Sequence, residues 1–153
     1  MAAHHRLVWR AARLWWRVRR PRTLGVRAIV LDPAGRVALV RHTYVSGWHL
    51  PGGGVKKGER GEDAAVREVR EETGLDATVE ALIGVFHNRA EYKDDHVVLF
   101  VARCRSPDAL RGSEGLEIAE TGWFAPDALP DLSQATARRI AGWRDGGDGW
   151  GKW

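Results

Sequence analysis

The chain has 153 residues, 29% of them charged and 44% hydrophobic, with a single cysteine, Cys104. That length allows one domain with a real core but not two, and one thiol leaves no disulfide framework and fits a reducing, cytoplasmic setting. The net charge of +4 is uneven, since residues 1–31 hold eight arginines and no Asp or Glu and the remainder carries −4, so DNA binding by the rest of the chain is not expected.

Residues 6–20, RLVWRAARLWWRVRR, repeat apolar positions at helical spacing. Leu7, Ala11, Leu14, Trp15 and Val18 share one face, Arg10, Arg13, Arg17 and Arg20 line another, and Pro21 ends the run. A basic amphipathic helix with boundary tryptophans suits peripheral membrane contact with anionic lipid. Packing on its own domain, or on a partner in a homodimer, is the competing expectation. The arginines interrupt the apolar region, which argues against a secretory signal, and no apolar run approaches the roughly 18 residues of a transmembrane helix. Residues 1–22 thus stand apart from a domain at 23–145 and a loose, glycine-rich tail at 146–153.

Leu24 to Leu31 and Val37 to Arg41 are rich in β-branched and aliphatic residues, which predicts two strands joined by the turn Asp32-Pro33-Ala34-Gly35, a hairpin. Residues 42–50 then lead through Tyr44 and Trp48 to the run Pro51-Gly52-Gly53-Gly54, whose backbone can approach a ligand without side-chain obstruction. Tyr44 or Trp48 could stack on a base; a structural role is the other reading of Trp48.

The next stretch, Gly53 to Leu75, reads GGVKKGERGEDAAVREVREETGL. On a helix Glu68, Glu71 and Glu72, at i, i+3 and i+4, fall within an arc of roughly 100°. Three like charges on one face repel, and a hard divalent cation that takes oxygen ligands is the natural compensation. Val66, Val69 and Thr73 form a neighbouring stripe for packing on a sheet, while Ala64 and Ala65 keep the carboxylate side thin. Gly74 is suited to close the helix. Arg60 at the N-cap lacks the usual side-chain acceptor, a loss of about 1 kcal/mol that Glu62 and Asp63 partly offset through the helix dipole. No Gly-Lys-Ser/Thr follows the glycines, which excludes a Walker A loop and with it the kinase and ATPase readings.

The stretch resembles the signature of the Nudix hydrolases, G-x5-E-x7-R-E-U-x-E-E-x-G-U with U aliphatic, and fills all nine fixed positions. Lys56, where many family members carry glutamate, is a departure outside those positions. The resemblance implies an α/β/α sandwich with a mixed sheet between helices, and hydrolysis of a diphosphate linked to another moiety with Mg2+ or Mn2+. It makes Glu68, Glu71 and Glu72 metal ligands and catalytic groups, adds the Gly52 carbonyl as a ligand, gives Glu59 a supporting role and has Arg67 hold the glutamates. Gly53 and Gly54 would face substrate.

Beyond this box, Ala77 to His87 and His96 to Cys104 predict two longer strands around a polar connection, residues 88–95. In that loop Arg89 and Lys93 could meet phosphate, Tyr92 could stack on a base, and Asp95 with His96 could touch metal. The run LEIAETGWF resembles a late strand of the family, with Glu117 and Glu120 as candidates for a base or an extra ligand. Pro126 to Leu129 suggests a short helical turn, and Leu132 to Trp143 a closing amphipathic helix with Ile140 inward.

The expected activity is pyrophosphohydrolysis of a small-molecule nucleotide, a nucleotide sugar or ADP-ribose first. Nucleoside triphosphates or RNA 5′ ends are the alternative substrates for the same box. A non-catalytic ligand-sensing module is a third reading, against which the intact Glu59, Glu68, Glu71 and Glu72 argue.

Overall fold

A computed structural model describes residues 22–89, 94–112 and 117–153. The basic segment 6–20 therefore lies outside the described residues, as do Tyr92 and Lys93. The elements are β1 (Arg22–Leu31), β2 (Val37–His42), β3 (Gly52–Gly54), α1 (Gly61–Thr73), β4 (Ala77–Asn88), β5 (Asp94–Cys104), β6 (Ile118–Phe124), α2 (Gln134–Asp145) and β7 (Trp150–Lys152), with a short 3-10 turn at Pro107–Ala109.

The strands form one seven-stranded mixed sheet in the order β6-β2-β1-β5-β4-β7, with β3 also pairing on β1. The predicted hairpin is present. Asp32 closes its turn, accepting from the Arg36 N–H and Nε, both at 2.7 Å. The central pair, β1 and β5, is parallel over ten positions, and both strands read as apolar runs because helices cover the two faces. On one side Val69 and Ala64 of α1 pack against Val26, Ala28 and Val30 of β1. On the other side Ile140 of α2 packs against Ile29, Leu39, Leu99 and Phe86. The result is the α/β/α layering expected from the box.

Both helix ends follow from local chemistry. α1 starts at Arg60 with no side-chain cap and ends at Gly74, whose left-handed φ of 71° lets its N–H reach the Arg70 carbonyl. α2 starts two residues later than the sequence pattern suggests, at a proper cap: the Ser133 side chain accepts from the Thr136 N–H. Pro126 to Leu129 is a turn closed by Ala128 N–H to the Ala125 carbonyl, not a helix.

The glycine-rich C-terminus departs from the expectation of a loose tail. Trp150–Lys152 pair in parallel with Val85–His87 of β4. Two glycines permit it: a Cβ on Gly84 would sit 1.9 Å from the Gly149 carbonyl oxygen, so only bare backbones can approach this closely. Trp153 then donates its N–H to the His87 carbonyl at 2.8 Å and sets its ring 6.1 Å from that of Phe86. The Arg139 guanidinium lies 3.9 Å over the other ring of this pair, Phe86. Trp153→Ala is expected to cost about 1–2 kcal/mol of unfolding free energy in urea titration, the loss of a half-buried aromatic; a value within error of wild type would mean that the strand contributes nothing to stability.

Candidate active site

The site forms where β3, the Pro51 corner and α1 meet. The Ala28 N–H donates to the Pro51 carbonyl at 3.0 Å, and Gly52, Gly53 and Gly54 pair with Arg27, Val26 and Gly25 of β1. This fixes the glycine strand flat on the sheet and directly over the acidic face of α1. Side chains would prevent it. A Cβ on Gly52 would stand 2.1 Å from the Val26 carbonyl oxygen, and one on Gly53 would stand 2.5 Å from the Glu68 carboxyl carbon. The Glu68 carboxylate therefore lies against this strand only because the residue is glycine.

Arg67 organises the carboxylates. Its Nε donates to Glu59 Oε1 at 2.7 Å and its Nη2 to Glu59 Oε2 at 3.0 Å, a bidentate pair. Its Nη1 donates to Glu68 at 2.6 Å and to Glu71 at 3.3 Å, and Nη2 also reaches the Gly54 carbonyl at 3.0 Å. The Lys56 N–H caps Glu59 at 2.9 Å. These bonds, Arg67 first, pull the Glu59 carboxyl down to about 2 and raise Arg67 above the ordinary guanidinium range.

Glu72 is treated differently. It accepts from the Gly52 N–H at 2.9 Å and has no bond to Arg67 among the described residues. Burial pushes its carboxyl up to about 7, the neighbouring charges of Glu68 and Glu117 push the same way, and the Gly52 bond and Arg27 only partly oppose them. Four carboxylates thus share a small region in which one guanidinium is already committed to three.

The three helix glutamates do not close on a common point. Among the described residues no group of three His, Cys, Asp or Glu side chains is arranged as a ready ligand set. The reason is the same arginine, which draws Glu68 and Glu71 toward itself while Glu72 turns to Gly52. The donor set nonetheless fits a hard dication. It offers excess negative charge, oxygen donors only, and one carboxyl whose charged form burial disfavours.

Several expected residues sit elsewhere. The Glu120 carboxylate is taken by Arg41 Nε at 3.0 Å, because β6 pairs with β2 in a register that sets these two residues opposite one another. Of the two late glutamates it is Glu117 whose charge acts on Glu72. Trp48 packs on the core, 4.9 Å edge-on to Phe124, which favours its structural reading over base stacking. Arg89 is exposed at the end of β4. The Gly52 carbonyl accepts from Arg27 Nη1.

Arg27, His42 and His49 were not singled out by sequence reasoning. The His42 ring lies 5.3 Å from both His49 and Tyr44, and burial first, then mutual repulsion and Arg27, holds its pKa below the usual imidazole value. The signal for Arg27 was a charged residue inside the apolar run of β1; the histidines come together only through the bridge between Val40 and His49.

The sign of the Glu72 shift gives a test. A carboxyl raised in the folded state favours folding below its unfolded value near 4.5, and that contribution is lost as pH rises toward 7. Without divalent ions, Glu72→Gln is expected to be more stable than wild type by about 1–3 kcal/mol at pH 8 and equal to it near pH 4. Chemical denaturation at the two pH values checks this, and equal stability at pH 8 would contradict the shift. Likewise Arg67→Met should return the Glu59 carboxyl toward its ordinary value of 4.5, read by NMR titration.

Comparison with known proteins points to one family. The NUDIX domain model matches residues 21–143. A putative 8-oxo-dGTP diphosphatase of Bacillus subtilis (strain 168) is 40% identical over 108 residues, 71% of this chain and 70% of its own length. The ADP-ribose pyrophosphatase of Methanocaldococcus jannaschii is 46% identical over 109 residues, 68% of this chain and 63% of its own. The crystal structure of a MutT NUDIX hydrolase from Burkholderia pseudomallei matches with a TM-score of 0.63 at 29% identity, over 79% of this chain and 97% of that one. A box filled at every fixed position, the layered fold and a family model spanning most of the chain lead to one conclusion: this protein belongs to the Nudix pyrophosphohydrolase family.

Proposed function

We propose that the chain hydrolyses the diphosphate linkage of a nucleoside diphosphate derivative, of the ADP-ribose or nucleotide-sugar type, with Mg2+ or Mn2+ held by Glu68, Glu71, Glu72 and the Gly52 carbonyl. The observation that carries this reading is Glu72, buried under the glycine strand with its carboxyl raised to about 7 while Arg67 serves the other box glutamates. A nearby dication would favour the charged form of Glu72 and balance a region that one guanidinium does not.

When bound, such ions neutralise the phosphoryl oxygens and acidify a water. The chain's own part is positioning. Arg67 locks Glu59, Glu68 and Glu71 against Gly54, so the acidic face is rigid before substrate arrives. Gly53 leaves room for the Glu68 carboxylate itself to lie against the strand. Arg27 braces the Gly52 carbonyl. Glu117, whose charge acts on Glu72 and which among the described residues is not bonded to an arginine as Glu120 is, would be the carboxylate that takes the proton of the attacking water.

Hydrolysis of a nucleoside triphosphate is the second reading, favoured by the 40% identity to the relative named as a putative 8-oxo-dGTP diphosphatase. The buried thiol Cys104 supports a reducing, cytoplasmic location for either.

A substrate panel with Mg2+ separates the two. The leading reading expects ADP-ribose to give AMP and ribose 5-phosphate; the second expects a nucleoside monophosphate and pyrophosphate from a triphosphate. Chelation should abolish turnover, and Glu72→Gln should lower it about 10²-fold or more without unfolding the protein. Equal turnover by this variant and wild type on the best substrate would overturn the assignment.

A further inference from the structure

The loop that joins β2 to the glycine strand carries an exposed aromatic ring. Tyr44 is 68% exposed, and Val45 beside it 46%. A lone exposed ring needs no explanation, but this one is held in place. The Thr43 N–H donates to the Glu117 carbonyl, the Trp48 N–H to the Asp131 carbonyl and the Ser133 N–H to the Trp48 carbonyl, each at 2.9 Å. Within the loop His49 Nε2 meets the Ser46 carbonyl at 3.1 Å. Tyr44 is therefore presented to solvent from a loop pinned at both ends.

That loop leads back to the carboxylates. The register of β2 on β6 shifts between Arg41, opposite Glu120, and His42, opposite Ile118, and an irregularity of this kind re-aims the side chains beside it. The His42 ring lies 5.3 Å from that of His49, which the bridge to Val40 holds three residues before Gly52, and 5.3 Å from that of Tyr44. The charges of Arg27 and Glu117 act on both His42 and Glu72, so the imidazole and the buried carboxyl share two neighbours. Two ring-to-ring steps thus connect the chain just before Gly52 with an open aromatic face. The other exposed large aromatic among the described residues, Trp150, is on β7, three strands and about 14 Å from β1.

We propose that Tyr44 is the nucleobase platform of this site: a nucleotide whose diphosphate lies at Gly52 and Glu72 runs past His49 and His42 and stacks its base on the Tyr44 ring. This placement rests on the diphosphate reading given above, and it assigns the nucleoside to the β2 side of the glycine strand. A flat ring with one face open suits any base, because every base has a π-face to offer. The pinned loop lowers the cost of binding, since the ring need not be ordered when the base arrives.

Two diphosphate mimics that resist hydrolysis separate base from phosphate: α,β-methylene-ADP, which carries adenosine, and methylenediphosphonate, which does not. Calorimetry with Mg2+ on the full-length protein should show the nucleotide mimic binding more tightly. Tyr44→Ala should weaken it by at least about 5-fold and leave methylenediphosphonate unchanged, while Tyr44→Phe keeps both, since stacking uses the ring face and not the hydroxyl. In turnover Tyr44→Ala should raise KM for the best nucleotide substrate by a similar factor, with kcat within about 2-fold of wild type. Should Tyr44→Ala fail to fold, Tyr44→Leu, apolar without an aromatic face, decides. Equal affinity of wild type and Tyr44→Ala for α,β-methylene-ADP, or an equal loss for both mimics, overturns the platform and leaves the diphosphate reading standing. No binding of methylenediphosphonate by wild type overturns that reading and the platform with it.

Discussion

One guanidinium holds the candidate active site together. Arg67 bonds Glu59 from the loop before α1, Glu68 and Glu71 from the helix itself, and the Gly54 carbonyl from the edge of the glycine strand. Without it, a helix with three glutamates on one face would carry repulsion with nothing nearby to offset it. With it, three separate pieces of chain are fixed in mutual register through charge-assisted bonds. The local arrangement is therefore electrostatic in origin, and the hydrophobic core beneath, Val69 and Ala65 against β1, only sets the plane on which it is built.

The same commitment creates the inequality among the carboxylates. Arg67 neutralises Glu68, Glu71 and Glu59, and Glu72 is left with a backbone N–H and the more distant Arg27. Burial then raises Glu72 where it would otherwise be an ordinary acid, so neighbouring residues in one helix face opposite electrostatic demands. Such a division suits a site in which some carboxylates must stay fixed and one must respond to added positive charge. Glycine makes it sterically feasible: at Gly53 a single methyl group would collide with Glu68 and push the acidic face away from the strand.

The sheet serves these needs unevenly. Its parallel centre, β1 with β5, presents apolar residues to both sides and accepts α1 on one and α2 on the other. Its β4 edge is closed in part by the short β7, which protects backbone groups but leaves Val85 and Trp150 outward. Among the described residues one helix lies on each face, which covers the middle of a seven-stranded sheet and not its flank.

What the sequence determined by itself was whatever depends on winding and on near neighbours. Helical geometry alone puts Glu68, Glu71 and Glu72 on one face, the Asp32 turn needs only Arg36 four residues on, and the period of residues 134–145 buries Ile140. What depends on register between distant strands was not readable. Whether Glu117 or Glu120 approaches the site was decided by the pairing of Arg41 with Glu120 across β2 and β6, 79 residues apart. Arg27 reached Gly52 only because β3 returns to lie on β1, and the glycine-rich end became β7 because Gly84 and Gly149 allow two backbones to touch. Local pattern is fixed by 3.6-residue periodicity within one segment; long-range contacts are set by which strands share hydrogen bonds, and only the folded chain reveals that.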